Sequence, residues 1–345
     1  MQAQEQLDVP NRLRAARWSL AVGLVLLGVK FFAFTLTGST AVLSDALESI
    51  INVVAALLAL ISVHIAARPP DQSHPYGHGK IEFFSAGFEG SLIMLAGGAI
   101  GYKALGALWR GAVLERLETG IALVAGAGLA NALLGLYLLH TGRRTRSATL
   151  RASGHHVLSD AYTSAGVVLG LGLVRLTGLW WLDPLVALGV GVHILRAGYG
   201  LVREAIAGLM HEADPETLER IALLLQQSRQ PGWIAPHRLR TWRSGAVLHV
   251  DFHLILPFYW TLQQSHEAEH AIYELFRAQW PEPVDVIVHT EPCWPACCAL
   301  CGMPDCPVRS APLVRLLPWN GAVLQAPLDV QLRAVGSTIG AEHEA

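Results

Sequence analysis

Six long apolar stretches restrict the fold of this chain more than any other feature of its sequence. A helix needs about 20 predominantly apolar residues to cross the hydrocarbon core of a bilayer. Charged residues make up 15% of the chain and hydrophobic residues 52%, whereas soluble domains carry roughly 25% charged residues. The sequence therefore predicts a six-helix transmembrane domain over 18–208, after an N-terminal cytoplasmic segment 1–17. The apolar stretches cover 18–37, 41–66, 84–108, 119–140, 155–178 and 184–206.

The distribution of positive charge indicates how these helices are oriented. Cytoplasmic loops carry an excess of Lys and Arg. On one side only Arg110 and Arg116 lie in the short loops, so both termini and everything after residue 208 are expected in the cytoplasm, with the chain multi-pass in the cell (inner) membrane. A net charge of −2 gives no reason to expect a nucleic-acid partner. The basic residues on the side of the termini are Arg12, Arg14, Arg17, Arg68, Lys80, Arg143, Arg144, Arg146 and Arg151.

A small soluble domain is predicted after the last apolar stretch. Asp214 is a typical helix N-cap and Pro215 suits the first helical position. The apolar periods that follow alternate between those of strands and helices. Their order, α-β-β-α-β, predicts a two-layer α/β domain over 209–291 with helices on one face of the sheet. The predicted elements are a helix from 214 to about 230, strands over 237–243 and 246–256, a helix over 262–279 and a strand over 284–289.

Two of the apolar stretches contain polar pairs with helical spacing. Glu48 and Asn52 in the second stretch, and His156 and Asp160 in the fifth, are each four residues apart, so each pair lies on one helix face. Ionisable residues at membrane depth are costly and usually face the interior of a bundle. Mixed nitrogen and oxygen ligands suit a first-row divalent metal. Structural ion pairs are the alternative, and Asp45 could replace Glu48 as a ligand.

One further membrane-embedded group allows two interpretations. Glu89 in the third stretch is either a salt-bridge partner or a proton-relay group.

The loop after the second stretch contains a possible metal site. It carries Asp71, His74 and His78, which a bend at Pro75 can bring together on a cation at the cytoplasmic surface. A polar turn without metal explains the loop equally well.

The last part of the chain, 292–345, is rich in Cys and Pro at first and then lacks a clear period, so we expect a weakly ordered tail. Its five cysteines lie within fourteen residues. In a reducing cytoplasm such a cluster favours soft metals over disulfides, and Cys298 and Cys301 have zinc-knuckle spacing. An accessory metal site is expected, with a merely reactive or structural cluster as the alternative. The cysteines are Cys293, Cys297, Cys298, Cys301 and Cys306.

The segment His266-Glu267-Ala268-Glu269-His270 matches H-E-x-x-H, the helix motif of zinc proteases. A membrane-tethered zinc protease is therefore one alternative function. The soluble domain is small for a substrate cleft, and a protease would leave the polar pairs of the membrane helices unexplained. A membrane metal sensor that binds without transporting is a further alternative.

Several of these motifs together resemble the cation diffusion facilitator family. They are SDALES at 44–49, the loop HPYGHGK at 74–80, and His156-x-x-x-Asp160. The resemblance covers about residues 12–291 and the loop is its most specific part. It implies a six-helix homodimer with a cytoplasmic, ferredoxin-like metallochaperone domain, which exports divalent metal in exchange for protons. It implies no organic cofactor and no enzyme activity.

The resemblance also assigns residues to three sites. It implies a transport site at mid-membrane on Glu48, Asn52, His156 and Asp160, and a loop site on Asp71, His74 and His78. It implies a binuclear site in the soluble domain on His237, His253, His266, His289 and Glu291.

Departures from the family pattern bear on the substrate. Many members carry Asp or His where Glu48 stands and Asp where Asn52 stands, and His211 replaces an acid that members often have. Because one carboxylate is missing, the identity of the substrate among Zn²⁺, Fe²⁺, Co²⁺ and Mn²⁺ cannot be inferred from zinc exporters.

The chemistry of the ligands also predicts proton exchange. Metal ligands must be deprotonated, so metal binding releases protons. His156 is the best candidate for the titrating group, and proton antiport is expected.

Overall fold

The structure, a computed structural model, describes residues 2–37, 40–110, 121–179, 181–281 and 283–336. The chain divides into two units. A helical unit contains Ala3–Met210, and a C-terminal α/β unit contains His211–Arg243 and the residues from Val247 onward.

The helical unit contains six long helices in the part of the chain that the structure describes, which confirms the predicted helical transmembrane fold. By length and composition three of their segments suit a membrane crossing, Val9–Phe32, Ile81–Trp109 and Pro184–Leu209, and Asn52–Ala66 is a shorter apolar helix. The polar residues near the start of the fifth helix lower its hydropathy. The helices are α1 (Gln2–Thr37), α2 (Thr40–Ala66), α3 (Ile81–Arg110), α4 (Ile121–Thr145), α5 (Ala148–Thr177) and α6 (Leu182–Leu209).

Helix α1 begins at Gln2 and continues through Pro10, so the segment expected to precede the first membrane helix is itself helical. Arg12 ties this segment to its neighbours. Its Nη1 lies 3.2 Å from Glu82 Oε1 on α3, and its Nη2 donates to the Thr145 carbonyl at the end of α4. Both charged side chains are buried, and a buried ion pair requires such additional hydrogen bonds to offset its desolvation.

Glycines allow α3 and α6 to pack closely. A Cβ atom added at Gly198 would lie 2.8 Å from the Gly90 carbonyl oxygen, and one at Gly97 would lie 3.0 Å from the Gly191 carbonyl oxygen. Small residues at such crossings let two membrane helices approach backbone to backbone. This packing fixes α3, and with it Glu89, inside the helical unit.

The C-terminal unit has the predicted α-β-β-α-β order. Its three strands lie in the order β1-β2-β3, and β2 and β3 are parallel, with His253 opposite His289. The N-cap prediction holds, because the Asp214 carboxylate accepts hydrogen bonds from the backbone N–H groups of Glu216 and Thr217. The elements are α7 (Pro215–Gln227), β1 (Ala235–Ser244), β2 (Val247–Leu256), α8 (Leu262–Gln279) and β3 (Val284–Pro292).

Alternation along β2 separates the core of this unit from its histidines. Phe252 and the other even-numbered apolar residues of β2 are buried in one cluster with Ile221 of α7 and Ile272 of α8. Successive side chains of a strand point to opposite faces, so His249 and His253 lie on the other face of the sheet.

Residues 293–336 differ from the weakly ordered tail that we expected. They form a 3-10 turn (Pro295–Ala299) and two short helices, α9 (Gly321–Gln325) and α10 (Leu328–Arg333). Leu324 joins the main core of the unit and Leu332 is buried in a second cluster. Gln331 donates hydrogen bonds to the carbonyls of Pro236 and Val323, at 2.9 and 2.8 Å. The apolar residues that anchor this segment are isolated and follow neither a helical nor a strand period, so no pattern in the sequence predicts that it is ordered. Residues 337–345 lie outside the described residues.

Candidate metal sites

Three of the four residues assigned to the membrane site come together between α2 and α5. Asn52 Nδ2 donates to Asp160 Oδ2 at 2.6 Å, and Asn52 Oδ1 lies 2.9 Å from His156 Nε2. The two i,i+4 faces therefore meet through the amide of Asn52. The side chains of Glu48 and Asp45 lie outside the described residues, although both positions belong to α2.

A cavity of about 30 Å³ adjoins these groups. One water molecule needs about 10–15 Å³ of such space, so the cavity has room for one or two water molecules or for a bare ion. Sequence analysis missed several of its polar residues. Ser153 lies three residues before His156 on the same helix face, and this spacing was the available signal. The polar residues that line the cavity are Ser19, Lys30, Ser49, Asn52, Glu89, Asn131, Ser153, His156 and Asp160.

Glu89 brings a second carboxyl group to the cavity from α3. Its exposed fraction is 1%. Ser153 Oγ donates to Glu89 Oε1 at 2.8 Å, and among the described residues Glu89 Oε2 has no hydrogen-bond partner. Within the described part of the chain, the hydrogen-bond partner of Glu89 is thus a hydroxyl group and not a cation. A buried carboxyl group held in this way favours the proton-relay interpretation over the salt bridge.

The loop residues converge as predicted for a cation site. One ligand atom from each of Asp71, His74 and His78 lies within 4.8 Å of the other two. The Asp71 carboxylate lies 3.4 Å from His74 Nδ1 and 3.3 Å from His78 Nε2. A backbone hydrogen bond from His74 is the main cause that lowers the pKa of Asp71, which keeps this carboxylate ionised. The loop bends at Gly77, whose φ of +79° lies in the left-handed region that residues with a side chain rarely adopt.

The C-terminal unit contains a second such group on the sheet. His253 Nδ1 lies 2.6 Å from Glu291 Oε1, and His237 Nε2 lies 3.5 Å from Glu291 Oε2. Ligand atoms of all three residues lie within 4.8 Å of one another. Burial lowers the pKa of His237 to about 4, against the opposing effect of Glu291. The ring is therefore neutral near pH 7, as metal binding requires.

The other two residues assigned to this site differ in position. His289 lies at its edge, with its ring centroid 4.7 Å from that of His253 and its Nε2 3.7 Å from Glu291 Oε1. The structure does not bring His266 into the group. That side chain is exposed on α8, with Nδ1 3.8 Å from Glu269 Oε2. His270, its partner in the H-E-x-x-H motif, is also exposed.

The five cysteines all have free thiols and line one cavity of about 340 Å³ in the C-terminal unit. They are Cys293, Cys297, Cys298, Cys301 and Cys306.

A membrane-type helical unit with polar groups around an ion-sized cavity, followed by a domain with clustered histidines and carboxylates, defines a metal-ion transporter. Comparison with known proteins agrees. Residues 16–210 match the cation efflux transmembrane domain, and residues 213–293 match the cytoplasmic domain of cation efflux proteins.

The chain is also similar to individual transporters along most of its length. It is 38% identical over 275 residues to the uncharacterized transporter sll1263 of Synechocystis, covering 79% of this chain and 88% of that protein. It is 29% identical over 280 residues to the cation-efflux pump FieF of Salmonella typhi and 30% identical over 280 residues to that of Cronobacter sakazakii. Each FieF match covers 81% of this chain and 92% of the relative.

The chain belongs to the cation diffusion facilitator family. It is a membrane protein that exports divalent metal cations, and it is not an enzyme. The resemblance in the sequence is thereby confirmed, and the protease hypothesis for residues 266–270 is wrong. Both histidines of this short motif are exposed on α8, and the match arose by chance.

Proposed function

We propose that this protein exports a divalent transition metal from the cytoplasm in exchange for protons, with Zn²⁺, Fe²⁺, Co²⁺ and Mn²⁺ as candidate substrates. It does so as a homodimer in the cell's inner membrane, with both termini in the cytoplasm. The observation that carries the proposal is the contact of Asn52 with both His156 and Asp160 beside an ion-sized cavity. Family membership supports the dimer, and the excess of Lys and Arg in the loops supports the orientation.

Asn52, His156 and Asp160 supply ligands to the substrate, and Glu48 completes the set. Glu48 stands one helical turn before Asn52, so it belongs to the same face of α2. Before metal binds, the amide of Asn52 is hydrogen-bonded to the His156 and Asp160 atoms that act as ligands. An entering cation replaces these bonds with coordination by amide oxygen, imidazole nitrogen and carboxylate.

Proton exchange follows from the cost of charge at membrane depth. An acidic site without its cation is stabilised by holding protons, and the ligands must lose those protons when metal binds. Glu89 extends the proton path, because its buried carboxyl group lines the same cavity and is held by Ser153. A site that opens alternately to the two sides of the membrane then couples metal export to proton entry.

The two groups outside the helical bundle serve capture and assembly. Asp71, His74 and His78 form a loop site that receives metal. His237, His253 and Glu291, with His289 at the edge, form the metal site of the cytoplasmic domain, where binding tightens the dimer. The ionised Asp71 and the neutral His237 are both in the protonation state that metal ligands need.

Transport into proteoliposomes tests this function. We expect uptake of at least one of Zn²⁺, Fe²⁺, Co²⁺ and Mn²⁺ that collapses when the pH gradient is dissipated. The variant Asp160→Ala should abolish uptake. Ser159→Ala is the matched control, because Ser159 lies on the same helix and its hydroxyl group donates to the carbonyl of His155. Undiminished uptake without a pH gradient would contradict antiport, and binding without any flux would indicate a sensor.

A further inference from the structure

The cysteine cavity lies mostly beyond the region that the family match covers. That match ends at residue 293, and four of the five cysteines follow it. The cavity of about 340 Å³ is lined by the five cysteines and by apolar side chains such as Phe258, Trp294 and Val308. Nothing in the proposed transport cycle uses it.

The segment around the cysteines is held in place by specific hydrogen bonds. Arg309 Nη2 donates to the carbonyls of Cys301 and Met303 at 3.2 and 2.6 Å, which fixes the loop between Cys301 and Cys306. The backbone N–H groups of Val314 and Arg315 donate to the Ala299 carbonyl. Cys301 is buried in the second apolar cluster of the unit. The cysteines therefore line a built cavity within the fold.

A hydroxyl group contacts one of the sulfur atoms, because Cys298 Sγ lies 3.5 Å from Ser310 Oγ. Hydrogen bonds to sulfur stabilise thiolates and are one of the means by which proteins tune thiolate-bound metal centres.

Burial and hydrogen bonding shift the pKa values of three of these thiols. Burial raises the pKa of Cys297 to about 12 and that of Cys293 above its usual value. Burial would also raise the pKa of Cys298, but the hydrogen bonds from Ser310 and Ala311 and the charge of Arg309 lower it overall.

The spacing of the sulfur atoms excludes a preformed site for one ion. Zn²⁺ binds thiolates at about 2.3 Å, so its ligand sulfurs lie within roughly 4 Å of one another. Among the described cysteines, no three sulfur atoms lie within 4.8 Å of one another. The cavity of about 340 Å³ is also far larger than the roughly 10–15 Å³ that one water molecule needs.

We propose that this cavity holds an iron–sulfur cluster of the [4Fe–4S] class. Four cysteines bind such a cluster, each to a different iron, so their sulfurs surround a central body and stand apart. All five cysteines line the cavity, and we assign the ligands to Cys293, Cys298, Cys301 and Cys306, because Cys297 is the more deeply buried of the adjacent pair Cys297 and Cys298. Cys297 is the spare thiol, with an exposed fraction of 1%.

Anaerobic reconstitution of the full-length protein with Fe³⁺, sulfide and excess dithiothreitol, which reduces two of every four Fe³⁺ to Fe²⁺, tests this proposal. We expect a brown protein with about four iron and four acid-labile sulfide per chain, and a paramagnetic signal after reduction with dithionite. The variants Cys301→Ser and Cys306→Ser should each lose most of the iron and sulfide. Circular dichroism and size exclusion of both variants establish that they remain folded, and Cys306, which is less buried, provides the test if the Cys301 variant unfolds.

The controls separate this site from the others. Cys297→Ala should keep the cluster, and so should Asp160→Ala, which removes a transport ligand. Loss of the cluster in the folded Cys297→Ala variant would overturn the ligand assignment. A colourless protein that binds one Zn²⁺ through these cysteines and takes up no sulfide would overturn the cluster itself.

Discussion

Asn52 on α2 donates a hydrogen bond of 2.6 Å from Nδ2 to Oδ2 of Asp160 on α5. The same amide presents its oxygen to His156. One side chain of α2 therefore connects both polar groups of the α5 face. Where many family members have a second carboxylate, this chain has an amide that pairs with Asp160 without repulsion.

Substitution of Asn52 tests how its amide contributes to transport and to the preference among metals. Asn52→Leu removes the oxygen ligand and leaves Asp160 without its donor, so we expect transport to fall on the order of tenfold or more. Asn52→Asp adds a charge and should keep transport while changing the order of preference among the four metals. Competition uptake assays in proteoliposomes measure both effects. An unchanged metal preference in Asn52→Asp would remove Asn52 from the ligands.

Substitution of Glu89 tests the proton path. Glu89→Gln keeps the shape and the contact with Ser153 but cannot release a proton. We expect metal binding to persist while the proton flux that accompanies uptake falls on the order of tenfold. A pH-sensitive dye inside the vesicles reports that flux. Ser153→Ala is the companion variant, and it should weaken the flux less because the carboxyl group remains. Normal proton flux in Glu89→Gln would exclude a relay role.

The cytoplasmic metal site distinguishes two residues that the family resemblance placed together. His237→Ala should lower zinc binding by the full-length protein by about one site, because His237 adjoins His253 and Glu291. His266→Ala should leave binding unchanged, since His266 is exposed on α8 and outside that group. Equilibrium dialysis of the two variants, beside the unmodified chain, measures the difference. Equal losses would show that α8 closes onto the site when metal binds.

Asp214 gives a prediction for pH dependence. Its hydrogen bonds, chiefly from the Thr217 hydroxyl, lower its pKa below the usual 3.8. A lowered pKa in the folded state stabilises the cap above pH 3.8, and this stability is lost as pH falls through the lowered value. Asp214→Ala should cost about 1 kcal/mol at neutral pH and speed amide exchange in α7 about fivefold. The difference from the unmodified chain should shrink below pH 3.8, and a constant difference would contradict the role of the carboxylate.

The sequence predicted the elements because strong local signals specify them. Apolar stretches of bilayer length marked six helices, and the cap at Asp214 and the alternation along β2 marked the α/β domain. The i,i+4 pairs identified Asn52, His156 and Asp160 before the structure brought them together. Each of these signals lies within one helix or strand, where periodicity places side chains on a face.

The parts of the fold and of the site that could not be predicted depend on contacts between segments that are distant in the sequence. Nothing local to residues 317–332 indicates that Leu324 and Leu332 pack against the α/β domain. The hydrogen bond from Ser153 to Glu89 requires the packing of α3 on α5, which no spacing reveals. His266 was assigned to the cytoplasmic site by resemblance. The structure places it on the exposed face of α8, because the face that packs on the sheet carries Ala268, Ile272 and Phe276.

Anomalous diffraction from crystals soaked in the transported metal tests the central claim most directly. The account predicts a metal peak between α2 and α5, coordinated by Asn52 Oδ1, His156 Nε2 and an Asp160 carboxylate oxygen, with Glu48 as the fourth ligand. The same peak should be absent in Asp160→Ala crystals that still show metal at His237 and His253. Full metal occupancy at the loop and cytoplasmic sites, with no peak between α2 and α5, would contradict it.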